Sequence, residues 1–205
     1  MQLFYSAASP YARKARVILI EKNLQDRVQL HHCMPLENPP SLLQANPLGK
    51  VPALILDNGQ ALYDSPVICE YLDALDPSAP LIPPHGDERW TVLRAHALAD
   101  GLLDTAVAQI YESRRPDNER SPSVVARWHT QMLRAVDEME VQLPLLPQNL
   151  NLGHIAFACA LGYLDLRFVH LDWRSTHPAL ARWFNDFSQR PSMRETDAMR
   201  ETRAN

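Results

Sequence analysis

A proline-rich segment divides this chain into two halves with different patterns of apolar residues. Residues 76–87, DPSAPLIPPHGD, contain four prolines and one glycine. Proline stiffens the chain and interrupts helices, so this segment is typical of a linker. Before it, strand and helix patterns alternate, and after it only helical patterns occur. The sequence therefore predicts an α/β domain over 1–77, a linker over 78–87 and an all-helical domain over 88–205.

The first half combines short strand patterns with helical patterns. Apolar residues recur at helical spacing in YARKARVILIEKNL, whereas RVQLHHC alternates with the two-residue period of a strand. Asn58-Gly59, a pair typical of hairpin turns, lies between two further strand patterns in VPALILDNGQALYDS. With a strand in MQLFY and a helix in SPVICEYLDAL, the predicted order is β-α-β-(α)-β-β-α.

The second half contains helical patterns only. The segments are ERWTVLRAHALADGLLDTAVAQIYESRR, SPSVVARWHTQMLRAVDEMEVQL, NLGHIAFACALGYLDLRFV and HPALARWFNDFSQR. The third segment is apolar on nearly all sides, which indicates a helix in the middle of a bundle. The predicted fold class is therefore an α/β domain followed by an all-α domain.

The composition excludes several classes of function. Hydrophobic residues make up 46% of the chain, and the net charge of −4 gives no general attraction for nucleic acid. No apolar run approaches the roughly 18 residues of a membrane span, and the N-terminus lacks the pattern of a signal peptide. Three widely spaced cysteines, Cys33, Cys69 and Cys159, favour a reducing cytoplasm over a disulfide framework. We therefore expect a cytoplasmic protein without a nucleic-acid or membrane partner.

The stretch SAASPYARK predicts a helix start that is suited to an anion. Ser9 before Pro10 is typical of an N-cap followed by the first helical residue. Unpaired N–H groups and a partial positive charge gather at such a start. Ser9 is therefore either a helix cap alone or a residue that also faces a bound anion.

Val51-Pro52 predicts a second binding feature. It opens a strand directly after the turn residues of NPLGK. Proline is excluded from a paired central strand unless its missing N–H points away from the ladder. A cis bond at this turn would leave the peptide groups of Val51 free to pair with an extended ligand. The alternative is an ordinary proline on an edge strand.

Asp64-Ser65 lies where a strand pattern ends and a helix pattern begins. Helix-start N–H groups and a hydroxyl hold a carboxylate, and Asp64 can pair with an ammonium group. This short segment could therefore bind both charges of an α-amino acid. The alternative is that Ser65 and Asp64 only stabilise the helix start.

The fragment HHC, residues 31–33, is not expected to bind a metal, because adjacent residues on a strand point to opposite faces.

Taken in order, these three features resemble the glutathione S-transferase family, whose first domain is thioredoxin-like. The resemblance covers essentially the whole chain. NPLGKVPAL and LYDSPVICEYLD look like the family's N-terminal segments, and ALADGLLDTAV and NLGHIAFACALGYLDLRF are similar to the second domain of a bacterial subgroup. It implies a thioredoxin-like domain, a helical domain and glutathione as co-substrate, without a metal.

The resemblance also implies roles for individual residues. By the resemblance, Ser9 takes the place of the activating residue. A hydroxyl at a helix start favours the thiolate over the thiol, which suits that role. The residues implied in glutathione binding are His32, Lys50, Val51, Pro52, Asp64 and Ser65. Those implied in the second-substrate pocket between the domains are Tyr5, Tyr111 and Arg115.

The chain departs from the family pattern at three places. Tyr5 lies where other classes keep an activating tyrosine, so Tyr5 remains an alternative to Ser9. The isomerase class has Ser-Ser-Cys at the first turn, whereas this chain has AASP. The capping motif of the buried helix has Asn151 and His154 in place of Ser or Thr and Asp, although Asn is still a good cap.

The expected activity is the transfer of the glutathione thiolate to a small hydrophobic electrophile. One alternative is a non-catalytic binding or regulatory protein of the same fold. A further alternative is glutathione-dependent reduction of a peroxide or disulfide. The resemblance also implies a homodimer.

Overall fold

The computed structural model describes residues 1–198, which form two compact units. The first unit comprises Met1–Ile82 and the segment that begins at Gln189, and the second unit comprises Pro83–Ser188. The chain passes from one unit to the other at Pro83, inside the proline-rich segment. The first unit contains the strands and the second contains helices.

The order of elements follows the predicted one. The first unit has β1 (Gln2–Tyr5), α1 (Pro10–Glu21), β2 (Gln29–His32), α2 (Pro40–Ala45), β3 (Ala53–Ile55), β4 (Ala61–Leu62) and α3 (Ser65–Ala74). The second unit has α4 (Asp87–Ser113), α5 (Pro122–Gln142), α6 (Leu152–Arg167), α7 (Trp173–Thr176) and α8 (Pro178–Phe187), and α9 (Pro191–Glu195) follows in the last segment. The predicted thioredoxin-like domain followed by a helical domain is confirmed.

The strands form a mixed sheet in the order β2-β1-β3-β4. β1 runs parallel to β2 and antiparallel to β3, and β3 and β4 form an antiparallel hairpin. Gly59 turns this hairpin with a φ of +83°, a conformation that glycine adopts without steric cost. The predicted hairpin at Asn58-Gly59 is therefore confirmed.

The core of the first unit lies between the sheet and helices α1 and α3. Leu3 and Leu54 on the central strands and Ile18 on α1 are completely buried, as are Ile68 and Leu72 on α3. The burial of this apolar surface is the main favourable contribution to folding. It holds the two helices against one face of the sheet.

The second unit is built around α6, which packs extensively against α4. Nearly every side chain from Leu152 to Leu164 is buried, as its apolar sequence predicts. Asn151 caps this helix, because its side-chain oxygen accepts a hydrogen bond of 3.2 Å from the His154 N–H. The changed capping residue therefore still satisfies a free donor at the helix start.

The end of the chain differs from the predicted domain boundary. The sequence predicts a helical domain that runs to residue 205, whereas the segment from Gln189 groups with the first unit. The Arg190 guanidinium donates to both Glu21 carboxylate oxygens, at 2.8 and 2.7 Å, and Arg13 donates to the Met193 carbonyl oxygen at 2.9 Å. These bonds join the segment to α1. Residues 199–205 of the predicted domain lie outside the described residues.

Across residues 1–198, we find no individual helix with both the length and the apolar character to cross a membrane. Leu152–Arg167 and Val169–Thr176, bent by 101°, reach the required length and apolar composition only as a pair.

Candidate functional site

The register of the sheet brings the predicted binding segments to one edge. Phe4 pairs with Ala53 and Tyr5 with His32, so the ends of β1 and β2 lie beside the start of β3. The antiparallel pairing of Leu54 with Leu62 carries β4 toward the same edge. The turn after β1, the approach to β3 and the turn after β4 therefore meet there.

Ser9 caps α1 at this edge. Its Oγ accepts a hydrogen bond of 3.2 Å from the Ala12 N–H, and Pro10 is the first helical residue. The predicted cap is thus confirmed. Because this bond uses a lone pair of the oxygen, the hydroxyl hydrogen of the half-buried Ser9 remains a donor. One side chain can therefore cap the helix and also donate to an anion.

The Val51-Pro52 bond is cis, as predicted. Among residues 1–198, the Val51 N–H and C=O have no hydrogen-bond partner. Asn46 holds the preceding loop, because its Nδ2 donates to the Lys50 carbonyl oxygen at 2.9 Å and its Oδ1 accepts from the Leu48 N–H at 3.0 Å. Such a pair of free peptide groups can bind an extended peptide.

Asp64 and Ser65 follow β4 at the start of α3. The Tyr63-Asp64 bond is also cis, a feature that the sequence did not indicate. Asp64 is exposed, and its carboxylate has no partner within the described part of the chain. Ser65 is only 2% exposed, yet its hydroxyl lacks a hydrogen-bond partner among the same residues. The pair offers a carboxylate for an ammonium group, and a hydroxyl beside helix N–H groups for a carboxylate.

The remaining predicted residues of this unit lie at the same edge. His32 and Lys50 are exposed, and the His32 ring packs edge-on against Tyr5 with ring centroids 5.4 Å apart. The Arg16 guanidinium lies 4.4 Å from the centroid of the Tyr5 ring. Tyr5 is therefore held by ring contacts beside His32 and Arg16.

Cys33 follows β2 and packs with Val51 against a small core cluster that includes Phe4 and Ala53. Burial raises the pKa of the Cys33 thiol. Because the thiolate is the reactive form, Cys33 is a poor nucleophile at neutral pH. Within residues 1–198, no group of three or more His, Cys, Asp or Glu side chains could hold a metal ion.

The two residues predicted in the second unit, Tyr111 and Arg115, have different neighbours in the structure. Arg115 forms a salt bridge of 3.2 Å with Glu119 and lies 3.9 Å from Glu112. Tyr111 is half exposed and lies instead beside Arg114, whose guanidinium is 5.6 Å from the ring centroid. Arg114 is not among the site residues predicted from the sequence.

The edge of the first unit offers the groups that glutathione requires. Glutathione is an extended peptide with a free ammonium group, two carboxylates and a thiol. Val51 has free peptide groups, Asp64 and Ser65 have a free carboxylate and a free hydroxyl, and Ser9 has a hydroxyl at a helix start. The residues present therefore fit this molecule.

Comparison with known families and proteins agrees with this fit. Residues 3–80 match the glutathione S-transferase N-terminal domain, and residues 122–186 match the glutathione S-transferase C-terminal domain. The chain is 32% identical to the uncharacterized GST-like protein YibF of Escherichia coli (strain K12) over 200 residues, which cover 96% of this chain and 98% of that protein.

Solved structures of a glutathione transferase family member from Pseudomonas fluorescens Pf-5 are also similar. One has bound glutathione, with 43% identity, a TM-score of 0.92, and coverage of 95% of this chain and 97% of the other. A second has bound S-(propanoic acid)-glutathione, with 42% identity, a TM-score of 0.87, and coverage of 96% and 98%. From the domain matches and these relatives together, the chain belongs to the glutathione S-transferase family.

Proposed function

We propose that the protein binds reduced glutathione at the edge of the sheet and conjugates its thiolate to a small electrophile. The observation that carries this proposal is the pair of free peptide groups at Val51, at the same edge of the sheet as the Ser9 helix start. The fold alone does not decide the activity of a protein. The free groups at the edge support a ligand of this kind.

The γ-glutamyl end of glutathione is assigned to Asp64 and Ser65. The Asp64 carboxylate pairs with the ammonium group, and the Ser65 hydroxyl and the start of α3 bind the carboxylate. The Val51 peptide pairs with the cysteinyl residue next to the cis Pro52. The exposed basic side chains of His32 and Lys50 suit the glycine carboxylate at the other end.

Ser9 is assigned the role of stabilising the thiolate. Its hydroxyl donates to the sulfur while its oxygen continues to accept from the Ala12 N–H. A donor and a helix start both favour the anion, so the pKa of the bound thiol falls and more of it is thiolate at neutral pH. The proton of the thiol goes to water.

The reaction is a nucleophilic substitution or addition. In a substitution, a sulfur lone pair forms the new carbon–sulfur bond, and the electron pair of the broken bond leaves with the displaced group, such as chloride. In an addition, the sulfur lone pair forms the same bond, and the electron pair of the broken π bond takes a proton from water. The protein contributes by holding the thiolate in place and in its charged form. The S-(propanoic acid)-glutathione bound by the Pseudomonas protein is a thioether of the kind that such a reaction produces.

We also propose that the protein is a homodimer. Tyr63 and Val67, at the start of α3, are exposed apolar side chains that a partner chain could cover. Sedimentation velocity at micromolar concentration should give a mass twice the 23.3 kDa of one chain. A particle with the mass of a single chain would contradict this.

The test of the main proposal combines binding and turnover. Calorimetry with reduced glutathione should show saturable binding, and 1-chloro-2,4-dinitrobenzene should then be conjugated in a glutathione-dependent reaction. Binding without turnover over a panel of electrophiles would favour the non-catalytic alternative. Absence of glutathione binding would overturn the proposal.

A further inference from the structure

Residues 189–198, which we call the C-terminal segment, bind α1 about one helical turn after Ser9. The Arg13 guanidinium donates to this segment twice, from Nη2 to the Met193 carbonyl oxygen at 2.9 Å and from Nε to Thr196 Oγ1 at 3.3 Å. These acceptors lie 180 and 183 positions later in the chain. Arg13 therefore joins the beginning of α1 to the C-terminal segment.

Both acceptors of Arg13 are held in fixed positions. The side chains of Met193 and Thr196 are each only 1% exposed. The Thr196 hydroxyl donates to the Ser192 carbonyl oxygen at 2.7 Å, so its lone pairs remain to accept the Arg13 Nε–H. The direction of each hydrogen bond is thus defined, and the C-terminal segment sets the position of the guanidinium.

Three hydrogen bonds connect Ser9 to the same part of α1. The Ser9 carbonyl oxygen accepts from the Arg13 N–H at 3.0 Å, and Ser9 Oγ accepts from the Ala12 N–H at 3.2 Å. The Ser9 N–H donates to the Ser6 carbonyl oxygen at 3.0 Å. Arg13 therefore contacts Ser9 through its backbone and the C-terminal segment through its side chain, so a displacement of Arg13 would also displace Ser9.

We propose that Arg13 is a positioning residue. By binding the C-terminal segment, it fixes the beginning of α1 and keeps the Ser9 hydroxyl where it donates to the glutathione sulfur. The effect on the thiolate rests on the proposed role of Ser9, whereas the fixing of α1 does not. A hydroxyl stabilises a thiolate only within hydrogen-bond reach, and a displacement of about 1 Å at a reacting site can lower the rate about 100-fold.

The first experiment follows the beginning of α1 without glutathione. Amide hydrogen exchange, measured by NMR, reports residues 12 and 13, whose N–H groups bind Ser9. Both amides should exchange about tenfold faster in Arg13→Gln than in wild type, because two hydrogen bonds that oppose local opening are lost. Arg27→Gln is the matched control, since it removes an exposed cation beyond the other end of α1.

The Leu19 amide, later in α1, reports the stability of the helix as a whole. Wild-type exchange at residues 12 and 13 in Arg13→Gln would overturn the proposal. Equal acceleration at Leu19 would also overturn it, because the replacement would then destabilise all of α1 and not its beginning.

The second experiment measures the bound thiol. Thiolate absorbance against pH should give bound glutathione a pKa about one unit higher in Arg13→Gln than in Arg27→Gln, and no higher than in Ser9→Ala. The value of kcat/KM with 1-chloro-2,4-dinitrobenzene should fall about tenfold at neutral pH. This loss should shrink above about pH 9, where free glutathione is itself largely thiolate. A loss that is equal at every pH would show a general structural effect and overturn the positioning role.

Thr196→Val tests the contact from the other side. It removes one acceptor of Arg13 and leaves the charge of Arg13 in place. It should raise the pKa of the bound thiol and slow conjugation in the same direction as Arg13→Gln, but by less. Wild-type behaviour of Thr196→Val beside a changed Arg13→Gln would show that the charge of Arg13 acts and not its position, and would overturn the proposal.

The Ser9→Ala variant separates this proposal from the proposed function. If Ser9→Ala raises the pKa of the bound thiol and Arg13→Gln does not, the proposed function stands and the positioning role of Arg13 is overturned. If Ser9→Ala leaves the bound thiol unchanged, the role of Ser9 fails and with it the effect of Arg13 on the thiolate. Faster exchange at residues 12 and 13 in Arg13→Gln would still support the fixing of α1 by the C-terminal segment.

Discussion

Lys22 Nζ lies 2.8 Å from Asp73 Oδ1, in a salt bridge between two almost fully buried side chains of the first unit. Asp73 also accepts from the Leu81 and Ile82 N–H groups, at 2.8 and 2.9 Å. Lys22 donates to the carbonyl oxygens of Asp76 and Ala79. The pair thus joins the end of α1 to α3 and to the start of the proline-rich segment.

Replacement of Asp73 should strongly destabilise the protein. Asp73→Ala leaves a buried cation without its counter-ion and two N–H groups without an acceptor, so the free energy of unfolding should fall by about 3–5 kcal/mol. Urea denaturation measures this. Asp117→Ala, at an exposed pair with Arg120, should stay within about 0–1 kcal/mol. Equal effects of the two replacements would contradict the role of the Lys22–Asp73 pair.

Glu21 should make stability depend on pH in the acid range. Burial raises the pKa of its carboxyl, but hydrogen bonds from Arg190 and Ser192, together with the Arg190 charge, outweigh it and the pKa lies below its usual 4.5. A lowered folded pKa stabilises the protein above the unfolded pKa, and this contribution is lost as pH falls through the folded value.

The stability difference between wild type and Glu21→Gln should therefore be constant from pH 7 to about 6 and shrink below the unfolded carboxyl pKa near 4.5. Urea denaturation at several pH values tests this. A difference that does not change down to pH 3 would show that the Glu21 charge contributes nothing.

Ser9 should have separable effects on stability and on the thiol. Ser9→Ala removes both the cap and the hydroxyl, which should cost about 1 kcal/mol of stability and raise the pKa of bound glutathione by roughly one to two units. Ser9→Gly is the matched variant, because glycine caps a helix almost as well as serine. Thiolate absorbance against pH gives the pKa, and thermal unfolding gives the stability.

If Ser9 activates the thiol, both variants should show the raised pKa and slower conjugation, with nearly unchanged glutathione affinity. If Ser9 only caps α1, the thiol titrations of both variants will overlay wild type and only Ser9→Ala will lose stability. Tyr5→Phe is then the next variant to examine.

Replacement of Asp64 or Ser65 should lower the affinity for glutathione without changing the pKa of the bound thiol. Asp64→Asn and Ser65→Ala each remove a hydrogen bond to a charged group, so the dissociation constant of glutathione should rise about 10- to 100-fold. Asp26→Asn removes the same charge before β2, at the opposite edge of the sheet, and should leave the affinity unchanged. Calorimetry that finds wild-type affinity in both site variants would remove these residues from the site.

Gly153 should not tolerate alanine. A Cβ there would lie 2.8 Å from Leu146 Cδ2 and 3.1 Å from Ala95 Cβ on α4. Helix propensity favours alanine by about 1 kcal/mol, but overpacking typically costs about 1–3 kcal/mol, so a net loss of stability is expected.

Gly101→Ala is the control for this prediction. Nothing lies within 4 Å of a Cβ at Gly101, which is also helical, so that variant should gain about 1 kcal/mol. Thermal unfolding compares the two variants. Stabilisation of both would show that α4 and α6 can move apart at Gly153 without loss.

The local features of the fold could be predicted from the sequence because neighbouring residues decide them. Ser9-Pro10 specifies the start of α1, Asn58-Gly59 specifies the hairpin, and the apolar run of α6 specifies a buried helix. The segments that meet at the candidate site were also recognisable, since each begins or ends an element.

Only the tertiary structure decided which distant residues meet. The sheet register brings Ser9, Val51 and Asp64 to one edge. This register cannot be inferred from any local pattern in the sequence. α6 packs against α4, and the bonds from Arg190 to Glu21 place the end of the chain on the first unit. Arg190 and Glu21 are 169 residues apart, so such partners depend on the whole fold and not on local sequence.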